Sequence, residues 1–127
     1  MKTKVRVVGK VAVVDLSGKI TIGEGDVVLR DEVNKLLETD SKNILLNLNG
    51  VTYMDSAGIG ELVACYKRAA EARAKLKLLN PSGRVSDLLS LTKLQQVFDI
   101  YNEEKEASSA FRPVHPRLQL REQVECL

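Results

Sequence analysis

Aromatic side chains are few in this chain: three tyrosines, two phenylalanines and no tryptophan in 127 residues. They are dispersed (Tyr53, Tyr66, Phe98, Tyr101, Phe111), so no stacking platform of the kind single-stranded nucleic acids require is visible. An excess of one charge is also missing. The formal net charge of +2 leaves no global field to draw nucleic acid or an anionic membrane. Only two cysteines occur, Cys65 and Cys126, far apart and in no metal or redox spacing. A reduced compartment, the cytoplasm, is therefore the expectation. No stretch approaches the roughly 18 apolar residues of a membrane span. The basic start "MKTKVRVVGK" is followed by no long apolar run, so a secretion signal is not expected. The single histidine, His115, stands between Pro113 and Pro116, a poor setting for a positioned general base.

What remains is an ordinary globular composition, 44% hydrophobic and 28% charged, in a chain long enough for one domain with a real core. "VRVVGKVAVVDLSG" reads as two strands, Lys4–Val8 and Val11–Leu16, joined as a hairpin at Gly9-Lys10. A glycine-bearing loop, "KITIGEGD", leads into a helix over Asp26–Thr39, whose Leu29, Val33, Leu36 and Leu37 share a face. "NILLNL", Asn43–Leu48, is nearly continuous apolar sequence, as suits a central strand covered on both faces. The helix after "DSAGIG" turns Ile59, Leu62, Val63, Tyr66, Ala69 and Ala70 inward and exposes Glu61, Lys67, Arg68 and Glu71. "KLKLLN" is a fourth strand. A helix with Val85, Leu88 and Leu89 follows, then a fifth strand near Phe98–Tyr101 and a last helix over Glu103–Phe111. Alternation of strands and helices after residue 20 implies a mixed, mostly parallel sheet of four to five strands with an N-terminal hairpin and about four helices, an α/β fold. Residues 1–111 form the domain. Residues 112–127, with two prolines and no clear period, read as a peripheral extension for which disorder is expected.

Several candidate sites compete. Ser56 follows a strand and opens a helix, but the G-x-S-x-G elbow of serine hydrolases would need glycine where Met54 stands. "GEGDVV" places only part of a dinucleotide loop: Val28 occupies the third glycine position, and Glu24 and Asp26 bring negative charge where phosphates must sit. A turn with Asp26 at a helix start is the better reading. Lys67, Arg68, Arg73, Lys75 and Lys77 read as a solvated helix face, and Cys65 as a small buried thiol. A cap alone, from Asp55 or Ser56 and worth about 1 kcal/mol, accounts for a serine here. It leaves unexplained two glycines, 58 and 60, in the first turn, each costing up to roughly 1 kcal/mol relative to alanine. On the residues alone, cap and functional site stand level.

"VTYMDSAGIG", Val51–Gly60, resembles the signature of STAS domains, in particular bacterial anti-sigma-factor antagonists, with their D-S-[SA]-G-[LI]-G pattern. "VVDLSGKI" and "RVSDLLSLTKLQQVFDIY" resemble further segments of that family in the same order, so the likeness covers about residues 4–111. The resemblance implies a non-enzymatic regulator with no catalytic residue, no metal and no cofactor of its own. Its partners would be an anti-sigma factor that is also a serine kinase, which supplies its own ATP and magnesium, and a PP2C-type serine phosphatase. Ser56 would accept the phosphate. Asp55, Ser56, Ala57, Gly58, Ile59 and Gly60 would meet the partner, with no direct contact to nucleic acid and no membrane insertion. In one respect the chain departs from the family: Thr21 stands where an acidic residue usually follows the "SG" turn, leaving Glu24 or Asp26 of a longer loop to take that place. An alternative within the family is an accessory subunit, for example of a lipid ABC transporter, in which the serine is an interface residue and is never phosphorylated.

Overall fold

The structure, a computed structural model, describes residues 1–111. Five strands form one sheet in the order of the chain: β1 (Lys2–Val8), β2 (Val11–Ile20), β3 (Asn43–Met54), β4 (Lys75–Leu79) and β5 (Ile100–Tyr101). Only the β1–β2 pair is antiparallel, the hairpin turning at Gly9 with φ +62°. β3, β4 and β5 add in parallel. Helices α1 (Gly25–Glu38), α2 (Ser56–Glu71) and α3 (Gly83–Leu91) make the crossovers, and α4 (Glu104–Ser109) follows β5. The expected mixed sheet, hairpin and four helices are all present.

Because successive strand residues face opposite sides, the apolar runs split into two cores. Val14, Leu16, Ile20, Ile44, Leu46, Leu48, Leu76 and Leu78 face α1, α2 and α3, meeting Leu29, Val33, Leu62, Cys65, Val85 and Leu89. Val11, Val13, Leu45 and Leu79 face the other way, onto Ala107 and Phe111. Each fully buried leucine or isoleucine is worth about 1.5–3 kcal/mol of transfer free energy, so the larger core dominates stability. Polar contacts finish the smaller face. Arg6 bridges Asp15 of the neighbouring strand and Glu104 of α4, holding the Asp15 carboxyl below its ordinary range. Asn47 also donates to Asp15 (2.7 Å).

Two strands outrun their expected ends. β2 continues past Leu16 to Ile20, and β3 past Leu48 to Met54. Beyond Leu48, Gly50 lets the two strands press together. A Cβ at that position would lie 2.8 Å from the Leu16 carbonyl oxygen, and the register shifts alongside, between Asp15 and Ser17. β5 is shorter than expected, and Phe98 precedes it, packing edge-to-face on Tyr66 at 5.3 Å.

On α2 the expected faces need correction. Glu61 is 5% exposed, because it points at α1 and takes hydrogen bonds from Arg30 and Arg68, both 2.8 Å. Ala70 is exposed rather than inward, and Arg68 is half-buried. The basic residues do not share a solvated face either: Arg68 is engaged by Glu61, and Lys77, 8% exposed, pairs with Asp99 at 2.6 Å beneath Tyr101 and Phe111. Cys65 is buried as expected, and burial pushes its thiol up to about 12. The extension over residues 112–127 lies outside the described residues.

Candidate functional site

β2 and β3 end side by side, with Ile20 opposite Met54, so the β2–α1 loop and the β3–α2 corner leave the sheet as neighbours. Two helices then start against the same carbonyl edge. A Cβ on Gly25 would lie 2.2 Å from the Lys19 carbonyl oxygen, and one on Gly58 would lie 2.4 Å from that of Ile20. Only glycine permits both approaches. Gly60 is different: it is exposed, and a Cβ there would meet nothing within 4 Å. The two glycines that a cap alone leaves unexplained thus divide, Gly58 seating α2 on the sheet and Gly60 leaving its outer surface bare.

Asp55 resolves the choice of cap. It is extended (φ −97°, ψ −174°), and its Oδ1 accepts from the Gly58 N–H at 2.9 Å, the geometry of an N-cap. Its second oxygen, Oδ2, accepts from the Ile22 N–H at 3.0 Å, tying the β2–α1 loop to the start of α2. These amides, Gly58 foremost and then Ile22, hold the Asp55 carboxyl below the usual carboxylate range, so it is ionised at neutral pH.

With the cap supplied by its neighbour, Ser56 is the first residue of α2, and it is exposed. Its hydroxyl makes no side-chain hydrogen bond among the described residues. It is a free hydroxyl at the positive end of a 16-residue helix, where added negative charge is accommodated by unpaired N–H groups and the helix dipole.

The structure brings most of the expected partner-facing residues to this one pole. Ser56, Gly60 and Glu24 are exposed, and Thr21, Asp55, Ala57 and Ile59 are half-buried. Gly58 is buried against Ile20, and Asp26 is 8% exposed with Oδ1 turned back to the Val27 N–H at 2.8 Å. Of the two acidic residues in the longer loop, Glu24 alone points to solvent. Sequence reasoning passed over three apolar neighbours. Ile22 is 74% exposed at the loop tip, and Tyr53 and Leu91 stand at 41% and 81% beside a groove of about 190 Å³ lined also by Met54, Arg84, Asp87 and Leu88. The available signal for Ile22 was an isoleucine directly before the glycines of the loop, Gly23 and Gly25, outside any helical or strand period. Among the described residues no group of His, Cys, Asp and Glu is arranged to hold a metal, and no helix is long and apolar enough to cross a membrane.

An α/β sheet of this order, with a serine opening an aspartate-capped helix at the corner after its long central strand, defines a STAS domain, and the STAS family model matches residues 2–107. The chain belongs to that family. Its relatives include the anti-sigma-B factor antagonist of Bacillus subtilis, 33% identical over 87 residues, or 68% of this chain and 78% of that protein. A candidate anti-sigma factor antagonist from Thermotoga maritima superposes with a TM-score of 0.80 at 25% identity, over 87% of this chain and 95% of that one. Unphosphorylated SpoIIAA, an anti-sigma factor antagonist, gives 0.66 at 20% identity over 89% of this chain and all of its own. Its phosphorylated form, from Bacillus, gives 0.69 at 19% over 87% of this chain and all of its own. These last two share the fold.

Proposed function

We propose that this chain is an anti-sigma-factor antagonist, a non-enzymatic partner-switching regulator controlled by phosphorylation of Ser56. The observation that carries the reading is the exposed, otherwise unused hydroxyl at the start of α2, beside a carboxylate already spent on the cap. Unphosphorylated, the pole around Ser56 binds an anti-sigma factor that is also a serine kinase, and the sigma factor is freed to direct transcription. The kinase, with its own ATP and magnesium, then transfers the γ-phosphoryl group to Ser56 Oγ. The hydroxyl proton passes to a base of the kinase, and ADP leaves. A PP2C-type phosphatase resets the switch by hydrolysis to serine and inorganic phosphate. No nucleic acid or membrane enters the cycle, which runs in the cytoplasm.

The physics is that of charge placed where the fold tolerates it and the binder does not. A phosphate adds about −1.5 to −2 charges. The N-terminus of α2 accepts it, so the domain keeps its shape. A partner surface fitted to a neutral hydroxyl instead faces that charge added to ionised Asp55. A loss of roughly 3 kcal/mol there exceeds a hundredfold in affinity.

The test is a pair of variants. Ser56→Ala should fold, bind the kinase and take no phosphate; Ser56→Asp should fold equally well and bind at least about tenfold more weakly, a cost of about 1.4 kcal/mol. Equal affinities would remove the electrostatic switch and leave the accessory-subunit reading, in which Ser56 is an interface residue only.

A further inference from the structure

A serine hydroxyl alone does not let one kinase, and not another, recognise this pole. The β2–α1 loop bears on that recognition. Its tip, Ile22, is 74% exposed, yet its backbone is fixed: the Ile22 N–H donates to Asp55 Oδ2 at 3.0 Å, and the Glu24 and Asp26 N–H groups both donate to the Thr21 carbonyl, closing the turn behind it. An isolated surface isoleucine needs no explanation. This one is held in a defined place by the residue next to Ser56. Val27, in the first turn of α1, is 37% exposed, and on the other side of the corner Tyr53 and Leu91 flank their groove.

We infer that Ile22 is an apolar anchor for the kinase that acts on Ser56, and that it selects a kinase with an apolar pocket beside its active site over one with a basic side chain there. The inference rests on the proposed switch and follows from size and contiguity. A standard interface covers about 800 Å² of each partner, roughly a disc 30 Å across. Any active site closing over Ser56 therefore also covers a loop hydrogen-bonded to Asp55. Thr21, Ile22 and Gly23 bring no charge to that part of the footprint; Glu24, beyond the turn, is the first that does. A basic side chain opposite Ile22 would lose its water and find only the Asp55 carboxylate, whose two oxygens already accept from the Ile22 and Gly58 N–H groups, whereas an apolar pocket gains the isoleucine. Rigid presentation adds to the gain, because the loop pays little ordering entropy on binding.

The test uses the full chain, ATP and its cognate anti-sigma factor kinase, comparing wild type with Ile22→Val, Ile22→Asp and Ile22→Lys. The side chain is out in solvent and the tether is a backbone N–H, so all three should keep the wild-type melting temperature and the hydrogen-exchange protection of the residue-22 amide. The valine variant should be phosphorylated nearly as well as wild type. The aspartate and lysine variants should both show KM raised at least about tenfold with kcat little changed, the pattern of lost binding rather than lost chemistry. If Ile22→Asp matches or outperforms wild type, the partner is basic at this point and the anchor is refuted. If all three match wild type, the loop lies outside the footprint and the anchor is refuted in another way. If the wild-type chain itself is not phosphorylated on Ser56, the switch falls first and takes the anchor with it.

Discussion

Replacing Gly58 and Gly60 by alanine, one at a time, should move stability in opposite directions. At position 58 the new methyl carbon would sit 2.4 Å from the Ile20 carbonyl oxygen and 2.6 Å from Met54 Cγ. The methionine, 4% exposed, can yield by a change of rotamer within the core. The carbonyl cannot, because it closes the end of β2 and already accepts from the Asp55 N–H at 3.3 Å. Overpacking of this kind costs about 1–3 kcal/mol, with a backbone obstacle placing it near the upper end. The better helix propensity of alanine returns up to about 1 kcal/mol. The net is a loss of about 1–2 kcal/mol, which for a domain of this size lowers the melting temperature by roughly 5–10 °C. At position 60 nothing lies within 4 Å of the added carbon and the site faces solvent, so only the propensity gain of up to about 1 kcal/mol remains. Thermal and urea unfolding of both variants against wild type reads the difference directly. If Gly58→Ala proved neutral or stabilising, the first turn of α2 would not rest on Ile20, and the geometry that presents Ser56 would be wrong.

Asp55→Ala should cost about 1 kcal/mol at neutral pH as the cap is lost, and should also erase the hydrogen-exchange protection of the Ile22 amide. The folded pKa of Asp55 lies below its unfolded value, so its contribution is complete above about pH 4 and is lost as pH falls through the folded pKa. The stability gap between wild type and this variant should therefore close on acidification below about pH 4, and a gap that widened instead would contradict the assignment. Glu61→Ala should destabilise by about 2–3 kcal/mol, less than the roughly 3–5 kcal/mol of a broken fully buried pair, because Arg30 and Arg68 keep access to water at 46% and 31% exposure; denaturant titration measures it, and a loss under about 0.5 kcal/mol, the scale of an ordinary surface change, would show the clamp to be idle. Cys65 should resist alkylation in the native protein at pH 8, since its thiol is both buried and pushed up to about 12; labelling at a rate like that of a free thiol would overturn its placement in the core.

The parts of this molecule legible in its sequence are those set by period and by local chemistry. The apolar stripe of α1, the continuous run of β3 and the hairpin at Gly9 announce themselves, and so does the serine at the corner. What escaped was settled by contacts between distant segments. The run of β3 past Leu48 shows only when β2 is laid against Gly50. Glu61 looks solvent-facing on its own helix; its burial depends on Arg30, from a helix 31 positions earlier, joining Arg68. Gly58 and Gly60 look equivalent in "SAGIG"; the end of β2 tells them apart. The second oxygen of Asp55 and its hold on Ile22 depend on two strands ending in register, which no local pattern encodes.

The most direct measurement is intact-mass and fragment mass spectrometry of the protein purified from its native cells, with a Ser56→Ala strain alongside. The account predicts a phosphorylated fraction that maps to Ser56, varies with growth state and vanishes in the alanine strain. Phosphate confined to another residue, or none in any growth or stress condition, would contradict it.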